Sequence, residues 1–313
     1  MSLNDPFFIV GCGRSGTSLL KAILSAHKDI YVAPETLYFQ SIDSKMTERS
    51  KVPEFIASRW WMMDEDIKAE DIRPMIDEDA SLIQRSDDGF KAVLQIFQSR
   101  YPNSILGEKT ARHVGYVNRI RRCVPDAKFI QIIRDPRAVL ASYKKAKIGS
   151  NQPYFIAREW LSAINVLETN RENEFYHFLS YEGLTKHSND VLTETIKFLS
   201  VPWDEGIMSF HSRSNAGFPK EQKHMMNTLK PIFTSNIDSW KDVLSKREIA
   251  LIEYQCGSKM EKYGYELMEH KIAFPKLWLK VSFILGIIRR SFISYPSKKI
   301  KSYKVKSRIR KGS

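Results

Sequence analysis

Cysteine is scarce in this sequence, and the three present, Cys12, Cys123 and Cys256, lie far apart. They offer neither a disulfide framework nor a paired metal knuckle, so a reducing, cytoplasmic setting is expected. Glycine and proline are also few, at 14 and 13 of 313 residues, while aromatic residues make up 12%. Collagen-like, low-complexity and disordered classes are thereby excluded. Long hydrophobic runs are missing too. The start, MSLNDPFFIV, has neither a basic n-region nor an apolar stretch suited to a leader or anchor. Acid is absent from Lys271 to Ser313, a segment with thirteen Lys or Arg. Of the 49 basic residues the other 36 fall in 1–270, matching all 36 acids, so the net charge of +13 belongs to the tail. A nucleic-acid binder spreads positive charge over its folded face; no nucleic-acid partner is expected.

A body over 1–270 and an apolar-basic helix and tail over 271–313 are therefore predicted. In the tail, Leu277, Trp278, Val281, Phe283 and Phe292 alternate with Lys280, Arg289 and Arg290, ahead of a basic run over Lys298–Lys311. The longest uncharged run, Val281–Ile288, is eight residues, against ~20 for a bilayer span. Peripheral attachment to an anionic membrane surface, at about 1 kcal/mol per near-surface charge, is one reading. Packing of that helix on the body is the other.

The body alternates strands and helices, which predicts an α/β fold: a P-loop-like parallel sheet covered on both faces by helices. Strand candidates are Phe7–Val10, Asp29–Val32, Ile105–Gly107, Lys128–Ile133 and Phe175–Tyr181. Helical spacing marks Thr17–His27, stretches near 113–123, 136–147 and 153–170, and Ser245–Tyr263. Residues 45–100 read as helical and acidic, with loops near Pro53, Pro74 and Asp87-Asp88-Gly89.

Two strand–turn–helix junctions carry the chemistry. Gly11-Cys12-Gly13-Arg14-Ser15-Gly16-Thr17-Ser18 follows a strand and opens a helix, the context in which backbone N–H groups cradle an anion. Its spacing is that of a nucleoside-triphosphate loop, except that Thr17 replaces the lysine needed on the β- and γ-phosphates. With Arg14 earlier and two hydroxyls after it, the loop suits a single phosphate or phosphosulfate. In the second junction, Lys128–Ile133 runs into Arg134-Asp135-Pro136-Arg137. Arg134 then stands at the carboxyl end of a buried strand, where open α/β sheets bind ligands. Ser142 follows two turns into the next helix, and together they could hold a second phosphate. A structural pair of Arg134 or Arg137 with Asp135 is the plainer alternative.

Together these stretches resemble the sulfotransferases that use 3′-phosphoadenosine 5′-phosphosulfate (PAPS), in the branch of tyrosylprotein and bacterial carbohydrate sulfotransferases. VGCGRSGTSLLKAIL is similar to their 5′-phosphosulfate loop and FIQIIRDPRAVLASY to their 3′-phosphate motif. Ala33-Pro34-Glu35-Thr36, Gly107-Glu108-Lys109-Thr110 and Ser180-Tyr181-Glu182-Gly183-Leu184 match three further segments, and the likeness covers about 6–265. It departs before Trp240, where Asn236-Ile-Asp-Ser239 lacks the family's basic residue; Lys230, Thr234 and Lys241 are candidate substitutes.

The resemblance implies PAPS as co-substrate with no metal required, and a hydroxyl acceptor. Gly13, Arg14, Ser15, Gly16, Thr17, Ser18, Arg134, Ser142 and Tyr181 would bind the nucleotide. Glu35 would take the acceptor proton, with His27 and His113 as alternatives, while Arg14 and Lys109 neutralise the leaving phosphate. A glycan or glycolipid is the first choice of acceptor, with Phe55, Trp60, Trp61 and Phe90 as candidate wall residues; a peptide tyrosine is second. Readings of another class are a P-loop kinase-like phosphotransferase and a non-catalytic nucleotide-binding membrane-surface protein.

Overall fold

Phe7–Gly11 (β1) is buried along its whole length, the uniform apolar pattern of a parallel strand covered on both faces. It is the middle strand of a five-stranded sheet with Ile30–Ala33 (β2), Ile105–Lys109 (β3), Lys128–Ile133 (β4) and Tyr176–Ser180 (β5), in the order β2-β3-β1-β4-β5. Every pairing is parallel, with Ile9 level with Lys109, Gly11 with Ile132 and Ala33 with Glu108. Chain connections thus leave β1 in both directions. The carboxyl ends of β1, β3 and β4 meet where the direction reverses, the place at which such sheets bind ligands. The computed structural model describes residues 3, 5–45, 52–58, 67–77, 79–147, 149, 151–212 and 230–268. The tail from 271, with its two readings, lies outside the described residues, as do Trp60 and Trp61.

Alternation along β1 sorts its side chains between two layers. Phe7 and Ile9 join a core with Leu20, Ile23 and Leu24 of Thr17–Leu24 (α1), and with Leu184, Leu192 and Ile196 further along the chain. Phe8 faces the other way, stacking 5.4 Å from Phe129 and lying 6.0 Å from Phe90. Burying each such ring fully stabilises the fold by roughly 1.5–3 kcal/mol.

After Tyr38–Lys45 (α2), Val52–Ala57 (α3) and Ala69–Ile72 (α4) comes the long helix Leu82–Arg100 (α5). Asp87-Asp88-Gly89 lies inside α5, which overturns the loop predicted there. The glycine serves packing instead: a Cβ on Gly89 would lie 2.6 Å from Tyr38 Oη and 2.8 Å from Ile56 Cδ1. Asp87 accepts from Arg119 Nε at 2.6 Å, in Val117–Cys123 (α6). Pro53 sits in the first turn of α3, where its missing N–H costs nothing. Phe90 is fully buried, 4.6 Å from Phe39, so it belongs to the core and not to a substrate wall.

The chain divides into two compact units, Met1–Arg134 with Ser162–Ile237, and Asp135–Leu161 with Asp238–Ser313. The first holds the sheet, Tyr181–Lys186 (α9) and Ser188–Leu199 (α10). The second holds Pro136–Ala146 (α7) and Lys246–Lys262 (α11), while Pro153–Asn170 (α8) crosses the division. In the second unit, Asp135 caps α7 by accepting from Arg137 N at 2.8 Å. The Arg137 guanidinium reaches Asp135 at 2.6 Å and Glu253 at 2.5 Å, and lies 4.1 Å above the Trp240 ring. The structural pair seen at this junction is Asp135 with Arg137.

Candidate active site

The first loop is shaped by backbone that few side chains allow. Gly11 has φ +151°, and a Cβ there would lie 2.5 Å from Ile132 O, so β1 and β4 approach at a distance only glycine permits. Arg14 takes the left-handed region at φ +68°. Gly16 follows at φ +105° as the N-cap of α1, with Tyr181 Cδ2 only 2.6 Å from where its Cβ would be. Ser15 N–H closes the turn onto Cys12 O at 3.2 Å. No side chain caps α1, and the buried Ser15 hydroxyl has no hydrogen-bond partner. An orphaned buried hydroxyl at an uncapped helix start fits a loop built to receive an anion. Gly13 and Ser18 are half-buried at its rim and Thr17 is buried in the first turn.

Arg134 leaves the end of β4 and turns to this loop. Its guanidinium lies 4.0 Å above the Tyr181 ring and donates to Arg14 O at 3.2 Å and Asn236 O at 3.0 Å. The stretch that lacks a basic side chain before Trp240 thus meets Arg134 through a backbone carbonyl. Lys241, one candidate substitute, pairs with Asp238 at 2.9 Å. Ser142 is half-buried in α7 and belongs to the second unit.

At the β2–β3 side, Lys109 Nζ contacts Glu35 Oε2 at 2.8 Å. Strand β3 runs two residues further than predicted and carries Lys109 into the interior, 3% exposed, whereas Glu35 keeps 34% of its side chain in solvent. Lys109 is thus no solvated residue beyond a strand. The histidines offered as alternative bases are occupied elsewhere. His27 Nε2 donates to Pro202 O at 2.8 Å and its Nδ1 accepts from Asp29 N at 3.0 Å. His113 is buried against Glu108 at 3.1 Å.

Two charged residues here escaped the sequence reading. Glu108 is buried beside Lys109. Lys21, four residues after Thr17 and so on the same face of α1, is buried with Nζ donating to Ala33 O at 3.1 Å. A lysine embedded in the apolar run LLKAIL was the available signal. Burial, then repulsion from Lys109, pushes the Lys21 ammonium down to about 7, despite the attraction of Glu108 and Glu35. The unfolded chain holds that proton until its ordinary value of 10.5. Between those limits the unfolded state binds more protons, so this group adds about 1.4 kcal/mol of stability per pH unit as pH rises. The melting temperature of the wild type relative to Lys21→Met should therefore climb from pH 7 to 10; a flat difference refutes the buried ammonium.

The family profile of the sulfotransferases matches residues 6–205. Protein-tyrosine sulfotransferase 1 of Danio rerio is 24% identical over 276 residues, covering 83% of this chain and 72% of that protein. Carbohydrate sulfotransferase 1 of Mus musculus is 24% identical over 184 residues, covering 51% of this chain and 44% of that protein. The chain spans 30% to 72% of the length of the curated relatives it matches. Among solved structures, the sulfotransferase domain of the Synechococcus PCC 7002 olefin synthase superposes with a TM-score of 0.59 at 20% identity, covering 85% of this chain and 97% of that domain. With the profile matched from the first strand to beyond the fifth, over a parallel sheet of the same fold, the chain belongs to the sulfotransferase family.

Proposed function

We propose that the chain transfers a sulfuryl group from PAPS to a hydroxyl acceptor. The observation that carries this reading is the Lys109–Glu35 contact of 2.8 Å at the sheet's carboxyl edge, in the same unit as the anion-type loop. Bound PAPS would supply the sulfuryl group. The chain's own part is positioning and charge. Gly13 to Ser18 would receive the phosphosulfate on backbone N–H groups and hydroxyls, with Arg14 beside them. Arg134, with Tyr181 beneath it, would take the 3′-phosphate. Glu35, with a third of its side chain in solvent where an acceptor can reach it, would accept the hydroxyl proton, and Lys109 would offset negative charge on the departing group.

For the acceptor, a glycan or glycolipid hydroxyl ranks ahead of a peptide tyrosine. The names of the relatives cover both chemistries. The acidity of 45–100 disfavours a tyrosine flanked by acids, because like charges would meet. A kinase-like phosphotransferase is disfavoured by Thr17 in place of the phosphate-binding lysine.

Thermal protection by nucleotides tests the reading. At 100 times its Kd, 3′,5′-adenosine bisphosphate should add about 2.7 kcal/mol, with ADP and ATP far behind. Equal protection by ATP with Mg²⁺ refutes it.

A further inference from the structure

Between β2 and α2 the chain passes through Pro34-Glu35-Thr36-Leu37, with Leu37 in the left-handed region at φ +49°. Side chains from the end of β3 hold this segment. Thr36 N–H donates to Glu108 Oε1 at 3.3 Å and the Thr36 hydroxyl to the same oxygen at 2.9 Å. Leu37 N–H donates to Thr110 Oγ1 at 3.2 Å, and the Thr110 hydroxyl donates in turn to Glu108 Oε1 at 2.6 Å. Glu108 Oε2 faces His113 Nδ1 at 3.1 Å. An ionised carboxylate only accepts, so each of these partners must present its hydrogen. Burial raises the Glu108 carboxyl, but the attraction of His113 and the hydrogen bonds of His113, Thr110 and Thr36 outweigh it and hold the group below the usual carboxylate range.

Glu108 and Thr110 flank Lys109, and Thr36 adjoins Glu35. We propose that Glu108 is a positioning residue of this site: by clamping Thr36 directly, and Leu37 through Thr110, it holds Glu35 in register with Lys109. The inference rests on Glu35 being the proton acceptor proposed above. A carboxylate serving only the core would satisfy the same donors without changing what Glu35 does, and the two roles separate in kinetics.

The test is a double-mutant cycle in the full chain, with PAPS and a tyrosine peptide or oligosaccharide that the wild type sulfates. Glu108→Ala should lower kcat about ten- to a hundredfold, the cost of a slightly misplaced group, with KM for PAPS nearly unchanged. Glu108→Gln should recover most of the rate, because its amide oxygen still accepts from both threonines. In a Glu35→Gln background Glu108→Ala should cost nothing more, since residues acting through one another are not additive. An unchanged kcat in the single variant, or the same loss in both backgrounds, overturns the proposal. Thr110→Val takes the place of Glu108→Ala should that variant fail to fold. If Glu35→Gln alone retains full rate, the base assignment has failed and the clamp with it. If no acceptor is turned over, the sulfotransferase reading has failed, and a crystal structure of Glu108→Ala, or of the Thr36→Val/Thr110→Val double variant should that one fail to fold, decides the clamp. There the 2.8 Å contact between Glu35 and Lys109 should be open; an intact contact overturns it.

Discussion

Glu35→Gln is expected to lower turnover by about 10²–10⁴-fold, the usual contribution of a general base, while 3′,5′-adenosine bisphosphate binds as it does to the wild type. The substitution is close to isosteric, and the amide oxygen can still accept from Lys109 Nζ, which stands 2.8 Å from Glu35 Oε2. Geometry and packing therefore change little, and the lost property is the capacity to take a proton. Glu35 has the exposure this needs, at 34%, whereas Glu108 at 1% and His113 at 0% are sealed from any acceptor. Steady-state kinetics and nucleotide titration on the same preparation provide the check. A variant that keeps its rate moves proton acceptance to another group. His27 and His113 are poor successors, because both are held in the interior by their hydrogen bonds.

The sequence carried most of the fold because its signals were local. β4 occupies Lys128–Ile133 as read from one apolar run ending at a charged turn. α11 occupies Lys246–Lys262 between Ser245 and Tyr263, bounded by a capping box of Ser245 and Glu248. What escaped depends on distant partners. Asp87-Asp88-Gly89 has the composition of a turn, yet packing against Tyr38 and Ile56 and a bond from Arg119 keep it helical. Lys21 and Glu108 look like surface charges in a one-dimensional pattern. They are buried because other residues supply an acceptor for one and donors for the other. Asn236 could not have been found from its side chain, since it meets Arg134 through its main-chain carbonyl. The candidate residues Glu35, Lys109, Arg14 and Arg134 were legible as types at spacings; the contacts among them came only from the sheet order, which sets the end of β2 beside β3 and the end of β1 beside β4.

Arg134→Ala is expected to do the reverse of Glu35→Gln, weakening bisphosphate nucleotide affinity by about 10²-fold or more, as losing one partner of a desolvated charged pair does, while kcat at saturating PAPS stays close to wild type. Arg134 is 7% exposed and leans on the Tyr181 ring at 4.0 Å, so the guanidinium is held in place before any anion arrives. Less rotamer freedom remains to be lost on binding, and affinity gains accordingly. Its guanidinium donates to Arg14 O and Asn236 O. Removing it therefore also leaves two carbonyls short of a donor, at about 1–3 kcal/mol for each that stays buried, and the nucleotide-free protein should melt earlier. Arg134→Lys separates the two effects. It keeps the positive charge but lacks the planar fork that spans both carbonyls and the ring, so it should recover only part of the affinity. Isothermal titration with 3′,5′-adenosine bisphosphate, beside melting curves of the free variants, reads both quantities. An Arg134→Ala protein that melts early yet binds the nucleotide with full affinity would make this arginine a strut of the loop, and the 3′-phosphate would have to be held by other groups.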